Sequence, residues 1–371
     1  MAKDSQTVEA LTRWALCESP SHDAAAVNAM QDLIVEGLPQ TGLMLERIPG
    51  RDGLGDIVLL HTGPATAQQR LFVIGHVDTV HPIGTATGPL PVRHDGDRLY
   101  GPGLYDMKGG VYAAICAIAD VARRGEARRP ITMLLSPDEE IGSPTTRDLI
   151  ETIARTSAYA LVVEPARAGG AVVTARKGVG WFNLDIQGRP SHAGTHHADG
   201  RSAIREAAHQ ILRLEGMTDY AAGTTVSVGQ ISGGTSANVV PAHCRLVADI
   251  RVTTPQEGYR LTTAIEGLCA VDPDALLNIS GGLNRPPYAR SAGTAALYQR
   301  AQQIAMRLGQ TLSEVPMVGG GSDGNFTAAL GLPTLDGLGI EGGGAHTLEE
   351  YCLVSSVAPR RALLAAMIEA L

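Results

Sequence analysis

Four apolar runs of strand length, at 56–61, 71–77, 131–135 and 160–163, are interleaved with helical patterns, and this alternation limits the possible folds more than any other feature. Helical spacing stands at 7–16, 22–38, 108–124 and 145–156. Strands separated by helices make an α/β unit, and near-continuous apolar runs belong to a sheet covered on both faces and at least partly parallel. From Trp181 the rhythm changes to strand 181–188, helix 201–215, strand 224–233, strand 245–252, helix 255–269 and strand 276–283. That β-α-β-β-α-β order is the ferredoxin-like arrangement. Its flanks, Lys177-Gly178 and Arg285-Pro286-Pro287, are natural crossing points. The expected organisation is therefore a first domain over 1–179, an inserted α+β domain over 180–286, and a return to the first domain over 287–371. Helix 293–308, loop 318–325, strand 333–338 and helix 355–371 would make that return.

In an open parallel sheet, ligands bind beyond the carboxyl ends of the strands. The run at 71–75 leads into His76-Val77-Asp78, the run at 132–137 into Asp138-Glu139-Glu140, and the run at 160–163 into Glu164-Pro165. Gly101-Pro102-Gly103-Leu104-Tyr105-Asp106 stops just before the helix that begins near Lys108. Singly, each has an ordinary explanation: a hydrogen-bonded histidine, a solvated acidic turn, a helix N-cap at Asp106, a loop carboxylate. Jointly, acids and an imidazole at successive strand ends point to a metal site. This donor set suits zinc, and one acid shared between two ions would hold them close enough to act together. His346, in a glycine-rich loop, is not distinguished by its surroundings from His61 or His81. Ser322 beside Asp323 lacks the G-x-S-x-G elbow of a serine hydrolase.

A formal net charge of −8 with no Lys/Arg-rich run argues against nucleic acid or an anionic membrane as partner, and for a small molecule. The first residues show no basic segment followed by an apolar core, and no run approaches a membrane span, so a cytoplasmic location is expected. Five scattered cysteines with no CxxC pair read as reduced thiols. Arg285 offers a planar grip for a carboxylate, Asn238 offers a donor, and Gly319, Gly320 and Gly321 let backbone approach a ligand.

Taken together, His76-Val77-Asp78, the segment Gly101–Gly110, Asp138-Glu139-Glu140-Ile141-Gly142-Ser143, Ser191-His192-Ala193-Gly194 and Gly319-Gly320-Gly321-Ser322-Asp323-Gly324 resemble the zinc aminoacylase and carboxypeptidase family. The likeness spans almost the whole chain and is nearest to the family's glutamate carboxypeptidases. It implies a two-zinc exopeptidase-like catalytic domain with a mixed sheet, carrying an inserted ferredoxin-like lid or dimerisation domain. It also implies two zinc ions per chain, with cobalt or manganese as substitutes. One ion would be held by His76, Asp106 and Glu164, and the other by Asp106, Glu140 and His346, with Asp106 bridging. Asp78 would orient the His76 imidazole, and Glu139 would be the general base on the bridging water. His192 would stabilise the oxyanion, often in a partner subunit's site. Arg285, Asn238 and Gly319–Gly321 would receive the substrate carboxylate. Arg176-Lys177-Gly178 does not align with the side-chain pocket of the glutamate enzymes, so the α-carboxylate grip is the firmer expectation. The implied activity is cleavage of an amide beside a free carboxylate in an N-acyl amino acid or short peptide, releasing C-terminal glutamate, by a homodimer. An N-acyl-amino-acid deacylase of the acetylornithine or succinyl-diaminopimelate type is the alternative within the same chemistry. A non-catalytic metal- or ligand-binding protein is the alternative outside it.

Overall fold

A computed structural model describes residues 2–38, 42–64 and 67–371. The chain divides into two compact units. The first runs to Ala175 and resumes over Arg290–Met317 and Ser322–Leu371, and the second is Arg176–Ala289 with Val318–Gly321.

The first unit is built on a six-stranded mixed sheet in the order Met44–Ile48, Ile57–His61, Ile131–Ser136, Arg70–His76, Ser157–Val162, Thr334–Leu335. Arg70–His76 pairs in parallel with both neighbours, so His76, Ser136 and Val162 finish at one edge of the sheet. Both faces of the inner strands are covered, which is why Ile57–His61, Arg70–His76 and Ile131–Ser136 are buried at every position and mostly apolar. Leu71, Val73, Met133 and Leu135 pack with Val111, Ile115 and Leu364 of the helices Gly109–Arg124 and Val357–Ala370. On the opposite face Phe72, Ile74 and Leu134 meet Ile150 and Phe326. Each such side chain, fully buried, contributes about 1.5–3 kcal/mol, so this core needs no ligand to hold it together. Gly110 brings the helix Gly109–Arg124 close to the strand end that leads to Glu164: a Cβ there would lie 2.1 Å from the carbonyl oxygen of Val163.

Two expectations for this unit change, and one strand is unanticipated. The helix begins at Gly109, because Leu104–Lys108 is an irregular turn in which Asp106 and Met107 leave helical geometry; Asp106 is therefore not an N-cap. The strand expected over 333–338 pairs only at Thr334–Leu335, since Asp336 turns to bond Val173 and Gly337 takes φ +70°. An edge strand, Met44–Ile48, escapes the apolar pattern because it is mostly exposed. A small second sheet orders Gly342–Gly343, Tyr351–Leu353, Arg98–Tyr100 and Arg93–Asp95.

The second unit has the ferredoxin-like order: strand Gly178–Gln187, helix Ala203–Glu215, strands Thr225–Gly233 and His243–Val252, helix Pro255–Glu266, strand Leu276–Arg285. Spatially the strands run Thr225–Gly233, His243–Val252, Gly178–Gln187, Leu276–Arg285, all antiparallel. Phe182, Leu184 and Ile186 alternate inward against Ala207, Leu214, Leu261 and Ile265, while the intervening residues face away, as a one-sided sheet requires. Ser202 and Thr254 cap the two helices through their side chains. The loop Val318–Gly321 belongs to this unit rather than to the first: Lys177 N donates to the carbonyl of Val318, and Arg176 Nη1 to those of Gly320 and Gly321. Among the described residues, no helix is long and apolar enough to cross a membrane.

Candidate metal centre and active site

At the carboxyl edge of the first unit's sheet, the acids and imidazoles read from the sequence converge. His76 Nε2 lies 3.4 Å from Asp106 Oδ1, 3.9 Å from Glu164 Oε1 and 4.0 Å from Glu139 Oε2. His346 Nε2 lies 3.4 Å from Asp106 Oδ2 and 3.1 Å from Glu140 Oε2. Asp106 thus turns one oxygen toward each imidazole. Ligand atoms fall into two groups, each with all members within 4.8 Å of one another: His76, Asp106 and Glu140, and His76, Glu139 and Glu164. Glu139 accordingly stands close enough to serve as a ligand as well as a base on distance alone.

A fit for cations is tested by what the side chains leave unsatisfied. His76 is fully buried and its Nδ1 is engaged by the backbone carbonyl of Asp78 at 3.0 Å, yet its Nε2 makes no hydrogen bond. Glu140 Oε1 is likewise buried without one. Orphaned buried donors and acceptors of this kind are costly, and an ion between them would satisfy both. The charge balance agrees. Burial pulls His76 toward neutrality, but Asp106, Asp78 and Glu139 outweigh it and raise its pKa well above the usual value. Asp106 and Glu140 raise His346 to about 11. Burial opposes the charge on Asp106, but His346 and His76 hold its carboxyl below the usual range, while burial pushes Glu140 up. Such an excess of acid calls for positive charge, and two divalent ions would supply it in place of two imidazole protons.

The surrounding turns are built to hold this geometry. The carboxylate of Asp78 approaches His76 Nδ1 at 3.4 Å, but its closer bonds go elsewhere. It accepts from Glu139 N and Glu140 N, both at 3.1 Å, and from Ser21 Oγ at 2.7 Å. Asp78 therefore steadies the two acids as much as the imidazole. Asp138 is completely buried and accepts from Ser136 Oγ, Thr145 N and the hydroxyls of Thr145 and Thr146. It knots the turn that presents Glu139 and Glu140. Nothing in the acidic triplet 138–140 distinguishes it beforehand. The Asp106–Met107 peptide is cis. His61 bonds Thr132 and Glu46, and His81 bonds Glu350, which leaves His346 as the histidine beside Asp106 and Glu140.

The remaining candidates lie in the second unit, in two groups. His192 pairs with Val239 in an isolated antiparallel bridge, and Ala193 N donates to the carbonyl of Asn238 at 2.9 Å, which brings His192 and Asn238 close together in the backbone. His192 Nδ1 accepts from Gly194 N and Thr195 N, both at 3.1 Å, so in the neutral ring the hydrogen sits on Nε2, and the residue is exposed. The side chain of Asn238 accepts from Ser236 Oγ. His192 is no part of the following helix's cap, which Ser202 supplies. Arg285 is buried at 4% exposure and packs beneath the glycine loop. A Cβ on Gly321 would stand 2.5 Å from Arg285 Cδ, so only glycine fits, whereas Gly319 and Gly320 face open space. Arg176 and Arg251, which the sequence did not single out, anchor the loop carbonyls. Lys177 is occupied by the carbonyl of Gly223. An apolar cavity of about 340 Å³, lined by Trp14, Ile34, Tyr112 and Cys116 among others, contains none of these residues.

Residues 72–370 match the family model described as peptidase family M20/M25/M40. Carboxypeptidase G2 of Pseudomonas sp. (strain RS-16) is 28% identical over 380 residues, covering 99% of this chain and 90% of that protein. Succinyl-diaminopimelate desuccinylase of Nitrosospira multiformis is 29% identical, covering 89% of each. Among solved structures, the M20 family metallo-carboxypeptidase Sso-CP2 from Sulfolobus solfataricus superimposes with a TM-score of 0.76 at 16% identity, covering 98% of each chain.

Proposed function

Because this chain belongs to peptidase family M20/M25/M40 and is thereby a hydrolytic metalloenzyme, we propose that it cleaves an amide bond beside a free carboxylate, releasing a C-terminal acidic amino acid, glutamate foremost. The observation that carries the reading is the carboxylate of Asp106, with Oδ1 toward His76 and Oδ2 toward His346. One divalent ion, zinc by the donor set, would be held by His76, Asp106 and Glu164, and a second by Asp106, Glu140 and His346. When bound, such a pair polarises the scissile carbonyl and makes water a stronger acid. Glu139 takes one proton of the attacking water and returns it to the leaving nitrogen, so the amine departs neutral; the new carboxyl keeps the water's oxygen and gives up its remaining proton to solvent. His192 Nε2–H donates to the tetrahedral oxyanion. Arg285, with Asn238 and the Gly319–Gly321 loop, receives the substrate carboxylate.

Similarity to succinyl-diaminopimelate desuccinylase supports a second reading, an N-acyl-amino-acid deacylase using the same machinery on a different acyl group. Family membership sets aside a non-catalytic binding protein. A panel of N-acyl amino acids, read by ninhydrin for the freed amine, separates the two substrate readings: fastest turnover with acyl-glutamate supports the first, and preference for a basic acceptor such as acyl-ornithine overturns it. Within the first, Arg285→Lys keeps the charge but loses the bidentate fork, worth about 1.5–3 kcal/mol. The substitution should lower kcat/KM for N-acyl-glutamate by roughly 10- to 150-fold, and masking the α-carboxylate as an amide should cost the wild type as much. The mutant should respond far less to masking, since either change removes the same contact. Equal cleavage of masked and free substrate by wild type would point to a general amidase.

The second unit supports a homodimer. Thr225–Gly233 is an open edge strand whose Ile231 is exposed, and Leu212 is exposed on the neighbouring helix. Light scattering at micromolar concentration should report twice the chain mass, and a monomer contradicts the assignment. If His192 serves the partner's site, mixed His192→Ala and Glu139→Gln chains should regain activity that neither has alone. The five cysteines, all free, fit a reducing, cytoplasmic setting.

A further inference from the structure

Three amides of the backbone that carries Asp106 are satisfied by a side chain rather than by backbone carbonyls. Between Gly103 and Lys108 the chain is neither helix nor strand: Gly103 sits at φ +70°, and Asp106 and Met107 depart from helical angles. Gly103 cannot be replaced, since a Cβ would lie 2.4 Å from Thr79 Cγ2. The amides of Leu104 and Lys108 bond the carbonyls of Gly101 and Gly103, while those of Gly103, Tyr105 and Asp106 turn away from the backbone ladder. A single buried side chain takes them. Glu350 is 1% exposed; its Oε1 accepts from Tyr105 N and Asp106 N, both at 3.0 Å, and its Oε2 accepts from Gly103 N and His81 Nε2, both at 2.9 Å. Its own carbonyl accepts from Gly101 N at 3.2 Å. With four bonds on two oxygens, this carboxylate has no lone pair to spare for an ion, although it lies beside the acids that do.

Glu350 also ends the loop that holds His346. That loop leaves the small sheet at Gly343 and re-enters it at Tyr351, with His346 in the left-handed region at φ +63°. One residue thus ties two of the three sources of the second ion's donors: the turn bearing Asp106 through three amides, and the loop bearing His346 through its own chain.

We propose that Glu350 is the positioning residue of the metal centre, which sets the spacing of Asp106 and His346 by anchoring both segments to one buried carboxylate. The inference rests on the two-ion reading above. Groups that orient ligands in this way commonly carry about 10–100-fold in metal affinity or activity. The test is zinc affinity of the full-length protein, measured by competition with a chromophoric chelator, for wild type, Glu350→Gln and His81→Ala. Glu350→Gln keeps the shape but turns an amide NH2 toward backbone donors. It should weaken the second ion by about 10- to 100-fold and lower kcat with little change in KM. His81→Ala removes only one of the four donors, distant from Asp106, so it should move affinity in the same direction by less and remain folded. A purely structural role would lower the melting temperature of the metal-free protein while leaving both zinc affinities unchanged. That pattern in either variant overturns the proposal and leaves the two-ion reading standing. Failure of the wild type to bind a second zinc overturns both.

Discussion

Glu139→Gln is expected to lower turnover by about 10²–10⁴-fold or more while the protein keeps its full complement of metal. Glutamine fills the same space and its backbone N–H still bonds Asp78 Oδ1, so the acidic turn stays in place. What is lost is the one function a carboxamide cannot supply, acceptance of a proton at near-neutral pH. The comparison that gives this meaning is Glu140→Gln. Glu140 lies 3.1 Å from His346, and its buried Oε1 has no hydrogen bond, so its loss should empty a metal position as well as stop turnover. Metal analysis alongside kinetics therefore distinguishes base from ligand. Near-normal turnover in Glu139→Gln would remove the base assignment. Loss of an ion in that variant would instead favour the grouping of Glu139 with His76 and Glu164 as ligands.

The parts of this site that could be read from sequence are those that ride on regular elements. His76, Glu139, Glu140 and Glu164 end or follow strands that are almost continuously apolar, so their arrival at one sheet edge follows from strand polarity alone. The ferredoxin-like unit was legible for a related reason: its strands alternate inward and outward and its helices carry capping residues at their starts. Resemblance was needed for His346, which sits on a loop in the left-handed region, where no periodicity operates. Asp138 and Glu350 were not found at all. Each is one acid among adjacent acids, and only the donors that meet it in three dimensions separate a buried knot from a solvated turn. The same holds for Val318–Gly321. Its membership of the second unit depends on Arg176 and Lys177, far away in sequence.

The second large effect is expected from the metals themselves, and it bears most directly on the claim that two ions share Asp106. Removing them with a chelator should abolish hydrolysis of N-acyl-glutamate. Circular dichroism should remain close to that of the loaded protein, because the sheets are held by their own apolar cores. Zinc is then returned in stoichiometric steps and turnover is followed at each one. With donors from His76, Asp106, Glu140, Glu164 and His346, too many for one tetrahedral ion, activity should climb to its maximum at two equivalents per chain. A plateau at one equivalent, or full turnover before any zinc is returned, would contradict the account.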